Sequence, residues 1–91
     1  MNRLERIRSR LEDAFAPVAL EVRDDSHLHV GHPGARSGMG HFHVNIVSER
    51  FRDVSPLERH RLIYIALDDM MKTDIHALTL SARAPDNGSN P

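Results

Sequence analysis

The chain contains no cysteine and no tryptophan. Without cysteine it can form no disulfide and offers neither a thiolate metal ligand nor a thiol nucleophile. That composition suits a reducing compartment, and the cytoplasm is expected. No apolar run approaches the roughly 20 residues that span a bilayer, and Met1 is followed at once by polar and charged residues, so neither a membrane helix nor a signal peptide is expected. Charge of one sign is also missing. Twelve Lys and Arg against thirteen Asp and Glu leave a formal net charge of −1, which argues against whole-surface steering onto nucleic acid. Aromatics are few, yet hydrophobic residues make up 40% of the chain, so it is not obviously disordered. At 91 residues it suits one domain with a modest core, burying about 60% of its unfolded surface.

What is present is patterned. Leu4, Ile7, Leu11 and Phe15 recur at spacings of three and four, the apolar stripe of a first helix. Asn2 and Glu5 have the spacing of a capping box, and Pro17 stops the helix. Arg3, Arg6, Arg10 and Glu12 read as its solvated face. Val18, Leu20 and Val22 alternate with Ala19, Glu21 and Arg23 as a half-buried strand. Four of the five glycines fall between Gly31 and Gly40, which marks a loop. A second strand follows, with Phe42, Val44 and Ile46 on one side and His41, His43 and Asn45 on the other.

Ser55-Pro56-Leu57-Glu58 is a helix start, with a serine cap, a proline in the first turn and a glutamate to close the box. Leu57, His60, Ile63, Tyr64, Leu67, Met70 and Met71 then fall broadly on one side of a helix expected to end near Lys72. Ile75 to Ala82 reads as a third strand with Leu78, Leu80 and Ala82 on one face, and strand parity puts His76 on that same face. The expected fold is α+β in the order α-β-β-α-β: a three-stranded sheet with helices packed on one face, in a domain of residues 1–84 with a fraying tail at 85–91.

Histidine carries the candidate chemistry. Five of the seven, His27, His29, His32, His41 and His43, lie between Asp24 and Val44. Imidazole suits zinc, copper and iron. Spacing alone is weak evidence, so His41 and His43 read as solvated on an open sheet face, whereas glycines near His29 and His32 leave the backbone free to aim a ring at a partner. By its residues alone His76 reads as a partly buried, satisfied histidine. Arg59-His60-Arg61 is a possible phosphate contact, since arginine forks match phosphate oxygens, but Glu49, Asp53 and Glu58 dilute the basic patch of Arg50, Arg52, Arg59 and Arg61. Gly31-His32-Pro33-Gly34 spells GxxG, but it joins two strands, where the nucleic-acid clamp of that spelling joins two helices. No nucleophile–base–acid set stands out, so an enzyme is unsupported.

Taken in order, Asp25-Ser26, the glycine loop, Gly40-His41-Phe42, Val44, Ile46-Val47-Ser48, Phe51, Arg59-His60-Arg61 with Tyr64, and Ile75-His76-Ala77-Leu78 resemble the BolA family, over about Leu4 to Pro85. The resemblance implies a fold similar to the type II K-homology domain without its GxxG clamp, and a non-enzymatic adaptor that binds a monothiol glutaredoxin and shares a [2Fe–2S] cluster with it, in cluster trafficking or in iron, redox or stress regulation. It implies His76 as one ligand and a loop histidine as a second, His29 before His32. Two histidines on one iron is a known arrangement. The other positions would come from the glutaredoxin's cysteine and glutathione, so the isolated chain, a monomer or weak homodimer, would hold no cluster tightly. Two departures stand out: a short tail, and Asp53 where the family often has glycine; aspartate tolerates a left-handed backbone, so the turn is expected to survive. Two further readings compete. One is a DNA-binding regulator of stress response and cell morphology using Arg59, His60 and Arg61, with weak duplex binding; the other is a zinc module of His27, His29, His41 and His43.

Overall fold

A computed structural model describes residues 2–26 and 39–86. Helix α1 spans Arg3–Phe15, strand β1 Ala19–Asp24, strand β2 Gly40–Val47, helix α2 Pro56–Leu67, a one-turn helix α3 Met70–Thr73 and strand β3 Ile75–Arg83, with a 3-10 turn at Glu49–Phe51 after β2. The strands form one sheet in the order β1-β2-β3. β1 is antiparallel to β2 and β3 parallel to it. The expected α+β order is thus observed, with one addition: the second long helix is broken in two.

Local chemistry sets these boundaries. The capping box of α1 is complete, with the Glu5 amide donating to Asn2 Oδ1 at 2.8 Å and the Asn2 amide donating to Glu5 Oε1 at 3.1 Å. Ala16 ends α1 in the left-handed region, just before Pro17. At α2 only half of the expected box forms: Ser55 Oγ accepts from the Glu58 amide at 3.2 Å, and Pro56 occupies the first turn. Ser55→Ala is expected to lower stability by about 0.5–2 kcal/mol. An unchanged denaturation midpoint would show that this contact contributes nothing. Asp53 sits at φ 64°, so the left-handed turn survives without glycine, as expected.

All three phenylalanines, Phe15, Phe42 and Phe51, join one core with Ile7, Leu11, Val22, Val44, Ile46, Ile63, Leu67, Met70 and Ile75. Three sequence expectations fail at its edges. Val18 is exposed and precedes β1. Leu57 and Tyr64 also face outward, because the buried side of α2 is centred on Ile63 and Leu67. The helix stops at Leu67 rather than near Lys72, because Asp68 turns to φ 48°. The Leu67 carbonyl is taken instead by Arg10 Nη1 at 2.6 Å.

That contact belongs to a second correction. Arg3, Arg6 and Arg10 do not form a solvated face. Arg3 and Arg6 each reach Asp74 at 3.2 Å, and Arg10 reaches Asp69 at 3.1 Å. They clamp α1 onto the segment that leads into β3. Burial pushes the Asp74 carboxyl up, but hydrogen bonds from Thr73 and Arg3 and the charges of Arg6 and Arg3 outweigh it and hold the group below its usual value of 3.8. A carboxylate lowered in the fold stabilises above its unfolded pKa and loses that contribution as pH falls through the folded one. Arg3 and Arg6 keep 40% and 39% of their side-chain surface exposed, so solvent screens the pairs and Asp74→Asn should cost only about 1 kcal/mol at neutral pH. The difference from the parent chain should begin to narrow as pH falls to about 4 and should close only below the lowered folded value, where the parent carboxylate is neutral as well. Parallel urea titrations at pH 7 and pH 3 check this, and a gap that does not narrow at pH 3 would exclude a charge-based origin.

Candidate functional site

The site is built by an irregularity in strand pairing. Gly40 pairs with Ile75, but the next residue of β2, His41, pairs with Ala77. β3 therefore carries one extra residue, His76, a bulge. Ile75 and Leu78 both contribute to the core although they are three apart, which a period of two forbids unless a residue is inserted between them. The parity expectation for His76 is overturned by this insertion: His76 is exposed, and its ring stands 5.1 Å from that of His41 at an interplanar angle of 51°. The apolar pair at a spacing of three was the available sequence signal.

Gly40, the β2 residue paired with Ile75 beside the bulge, has no room for a side chain. A Cβ there would come within 2.7 Å of the Phe42 ring and 2.8 Å of Ser26 Oγ. Its amide donates to the Asp74 carbonyl at 2.9 Å, tying the start of β2 to the residue before β3. Across β2, Ser26 Oγ accepts from the His41 amide at 3.0 Å, and the Asp25 amide donates to the His41 carbonyl at 2.8 Å. An Asp24 carboxylate oxygen takes the Ser26 amide at 2.9 Å. The residues flanking the glycine-rich segment, Ser26 before it and Gly40 after it, are thereby pinned beside His41 and one step from His76. His27, His29, His32 and the GxxG spelling lie outside the described residues.

His41 is half-buried against His76 rather than simply solvated. His43, two residues on, pairs with Arg23 on one side and Thr79 on the other. Among the described residues no group of three or more His, Asp or Glu is arranged to hold a metal ion. These residues present imidazole at the mouth of the sheet, a donor type that fits iron, and they supply fewer than the four ligands of a [2Fe–2S] cluster.

The basic segment of α2 is largely committed to the fold. Arg59 donates to the carbonyls of Val54 at 2.8 Å and Ala82 at 3.0 Å, fastening α2 to the end of β3. His60 is half-buried, and the exposed Arg61 lies 3.9 Å from Glu58. Arg50 donates to the Ala14 carbonyl, and Arg52 grips Glu49 at 2.6 Å, holding that carboxyl below its usual range. The Pro85 carbonyl, in the expected tail, also accepts from Arg52; residues 87–91 lie outside the described set.

No helix among the described residues is long and apolar enough to cross a membrane. Residues 11–87 match the family model of BolA-like protein. BolA-like protein 1 of Homo sapiens is 44% identical over 79 residues, covering 87% of this chain and 56% of that protein, so the chain spans about half of that relative's length. The DNA-binding transcriptional regulator BolA of Escherichia coli (strain K12) is 46% identical over 76 residues, covering 84% of this chain and 70% of that protein. Among solved structures, the BolA domain of SufE1 from Arabidopsis thaliana superposes with a TM-score of 0.82 at 44% identity, covering 93% of this chain and 94% of that one. The match over residues 11–87, with relatives 44% and 46% identical, makes this chain a member of the BolA-like family.

Proposed function

We propose that this chain is a non-enzymatic adaptor that binds a monothiol glutaredoxin and shares a [2Fe–2S] cluster with it, in a reducing compartment such as the cytoplasm, serving cluster trafficking or iron, redox or stress regulation. The observation that carries the reading is the exposed His76 ring on a bulge, beside the pinned ends of the segment that contains His29 and His32. His76 and His29, or His32 in its place, would occupy one iron. The glutaredoxin's cysteine and glutathione would complete the set. Sharing fits a chain that has no cysteine of its own. Neutral imidazole is the ligating form, so the complex should weaken in acid.

The test is to mix the chain with a cluster-loaded monothiol glutaredoxin and glutathione and to record visible absorption and circular dichroism. A new spectrum, distinct from that of the glutaredoxin alone and saturating with added chain, is expected. A spectrum that stays a simple sum of the components at every ratio would exclude cluster sharing.

A second reading, duplex DNA binding through Arg59, His60 and Arg61, is favoured by the name of the Escherichia coli relative. With Arg59 engaged by two carbonyls and Arg61 close to Glu58, such binding would be weak and of low sequence preference. A titration across salt concentrations separates the readings, because log affinity falls linearly with log salt when phosphates are contacted.

A further inference from the structure

Val44 and Ile46 of β2 point into the core, so Asn45 and Val47 point to the face of the sheet away from the helices. Strand register brings neighbours to that face. Glu21 of β1 pairs with Asn45, and Ala19 of β1 and Arg83 of β3 pair with Val47. A hollow of about 170 Å³ lies here, lined by Ala19, Leu20, Glu21, Asn45, Val47 and Arg83. Val47 is only 7% exposed yet stands outside the core cluster, so with Ala19 it gives the hollow an apolar floor. Three polar side chains surround that floor. Asn45 Oδ1 is buried without a hydrogen-bond partner, and among the described residues its Nδ2 has none either. The Arg83 guanidinium makes no ion pair or hydrogen bond among the described residues. Glu21 has one loose contact, at 3.7 Å, with Arg23, whose closer partner is Asp25 at 2.9 Å. Glu21 and Arg83 thus bring opposite charges to one hollow without pairing with each other.

We propose that this hollow binds the ammonium and carboxylate groups of a small free α-amino acid. A buried acceptor left without a donor is costly and rare, so the Asn45 amide calls for a ligand. The charges select its class. A water molecule would satisfy Asn45 but leave Glu21 and Arg83 unmatched. A simple anion would suit Arg83 and be repelled by Glu21, and a simple cation would meet the reverse. A zwitterion suits both. Glu21 and Asn45 stand side by side across β1 and β2, so the ammonium donates to the Glu21 carboxylate and to the Asn45 carbonyl oxygen. A half turn of the Asn45 amide brings that oxygen to the hollow, and no hydrogen bond holds it back. Arg83 lies two residues further along, level with Val47, and its planar fork matches the carboxylate. At about 30 Å³ for each water-sized atom, the hollow has room for about six non-hydrogen atoms, which fits glycine or alanine. The site lies about 20 Å along β3 from His76, so it stands apart from the proposed cluster ligands. So small a ligand in a partly open site should bind in the millimolar range.

The experiment is a titration of the full, nitrogen-15-labelled chain with L-alanine up to about 50 mM, well above the expected affinity, followed by two-dimensional NMR. Saturable shifts are expected at the Asn45 side-chain amide and at the backbone amides of Val47 and Arg83. Three further probes remove one end of the ligand: N-acetyl-L-alanine lacks the ammonium, L-alaninamide lacks the carboxylate, and acetate carries the carboxylate alone. Each should bind at least about tenfold more weakly than L-alanine, as the loss of one charge-assisted contact implies. Glu21→Gln and Arg83→Gln should each raise the dissociation constant for L-alanine by a similar factor. Lys72→Gln, which removes an exposed charge off this face, should leave it unchanged. Dispersed amide spectra confirm that each variant remains folded. A parent chain without saturable shifts, acetate or L-alaninamide binding as tightly as L-alanine, or a Glu21→Gln or Arg83→Gln chain that binds like the parent would each overturn the proposal.

Discussion

Phe51→Ala should lower the stability of the chain by about 3–5 kcal/mol, the cost of truncating a fully buried phenylalanine. Phe51 ends the 3-10 turn after β2 and is completely buried. Its ring lies 4.9 Å from that of Phe15, at the last residue of α1, with the planes tilted by 39°. A tilted pair of this kind adds a contribution beyond the area it buries. Polar contacts hold the backbone around the ring. Ser48, itself fully buried, donates from Oγ to the Phe15 carbonyl at 2.7 Å and accepts the Arg50 amide at 3.1 Å, while the Phe51 amide donates to the Ser48 carbonyl at 3.1 Å. These bonds restrict the collapse that would otherwise shrink the cavity, which places the cost toward the upper end of the range. At about 0.05–0.15 kcal/mol per residue, a 91-residue chain has about 5–14 kcal/mol in total, so the loss is a large share. Urea unfolding followed by circular dichroism is the measurement. A lower midpoint at an unchanged slope is the expected form, and a loss below about 1 kcal/mol would mean that the site repacks freely.

Elements whose residues interact with near neighbours were legible in the sequence. The spacing of Leu4, Ile7, Leu11 and Phe15 located α1 and its buried side, and the alternation from Phe42 to Ile46 assigned the two faces of β2 correctly. The family resemblance, drawn from an ordered set of residues, agrees with the match over residues 11–87. The misplaced features depend on contacts between distant parts of the chain. Arg3 and Arg6 read as solvated because their partner, Asp74, is some seventy residues away. The end of α2 was misplaced because a left-handed aspartate, with its helix-end carbonyl taken by Arg10, leaves no mark on apolar periodicity. Tyr64 and Leu57 looked like core because the outward face of α2 is as apolar as a core face. Parity places His76 on the wrong face because counting by two fails at a bulge, and the bulge shows only in how Ile75 and Ala77 pair with Gly40 and His41 of β2.

His76→Ala should abolish the mixed spectrum with a cluster-loaded monothiol glutaredoxin, or shift it beyond the change produced by any other single histidine of the described residues. The bulge throws the His76 ring clear of the core at the start of β3, so it can reach a partner without any movement of the fold. For the same reason its removal should leave thermal stability nearly unchanged, and this separates loss of a ligand from loss of structure. Replacing His29 should have the next largest effect, ahead of His32, because His29 stands nearer in the sequence to Ser26, whose hydroxyl accepts from the His41 amide. His41 rests against His76, so His41→Ala removes a neighbour that restricts the ring. It should leave the spectrum in place and at most weaken the complex, since a less restricted ligand loses more freedom on binding. Because imidazole brings less negative charge to iron than thiolate, the shared cluster should have a higher potential than one held by four thiolates. Visible circular dichroism of each variant, titrated against the loaded glutaredoxin, reads all of these effects. If His76→Ala reproduces the parent spectrum and affinity, His76 is not a ligand and the cluster reading fails with it.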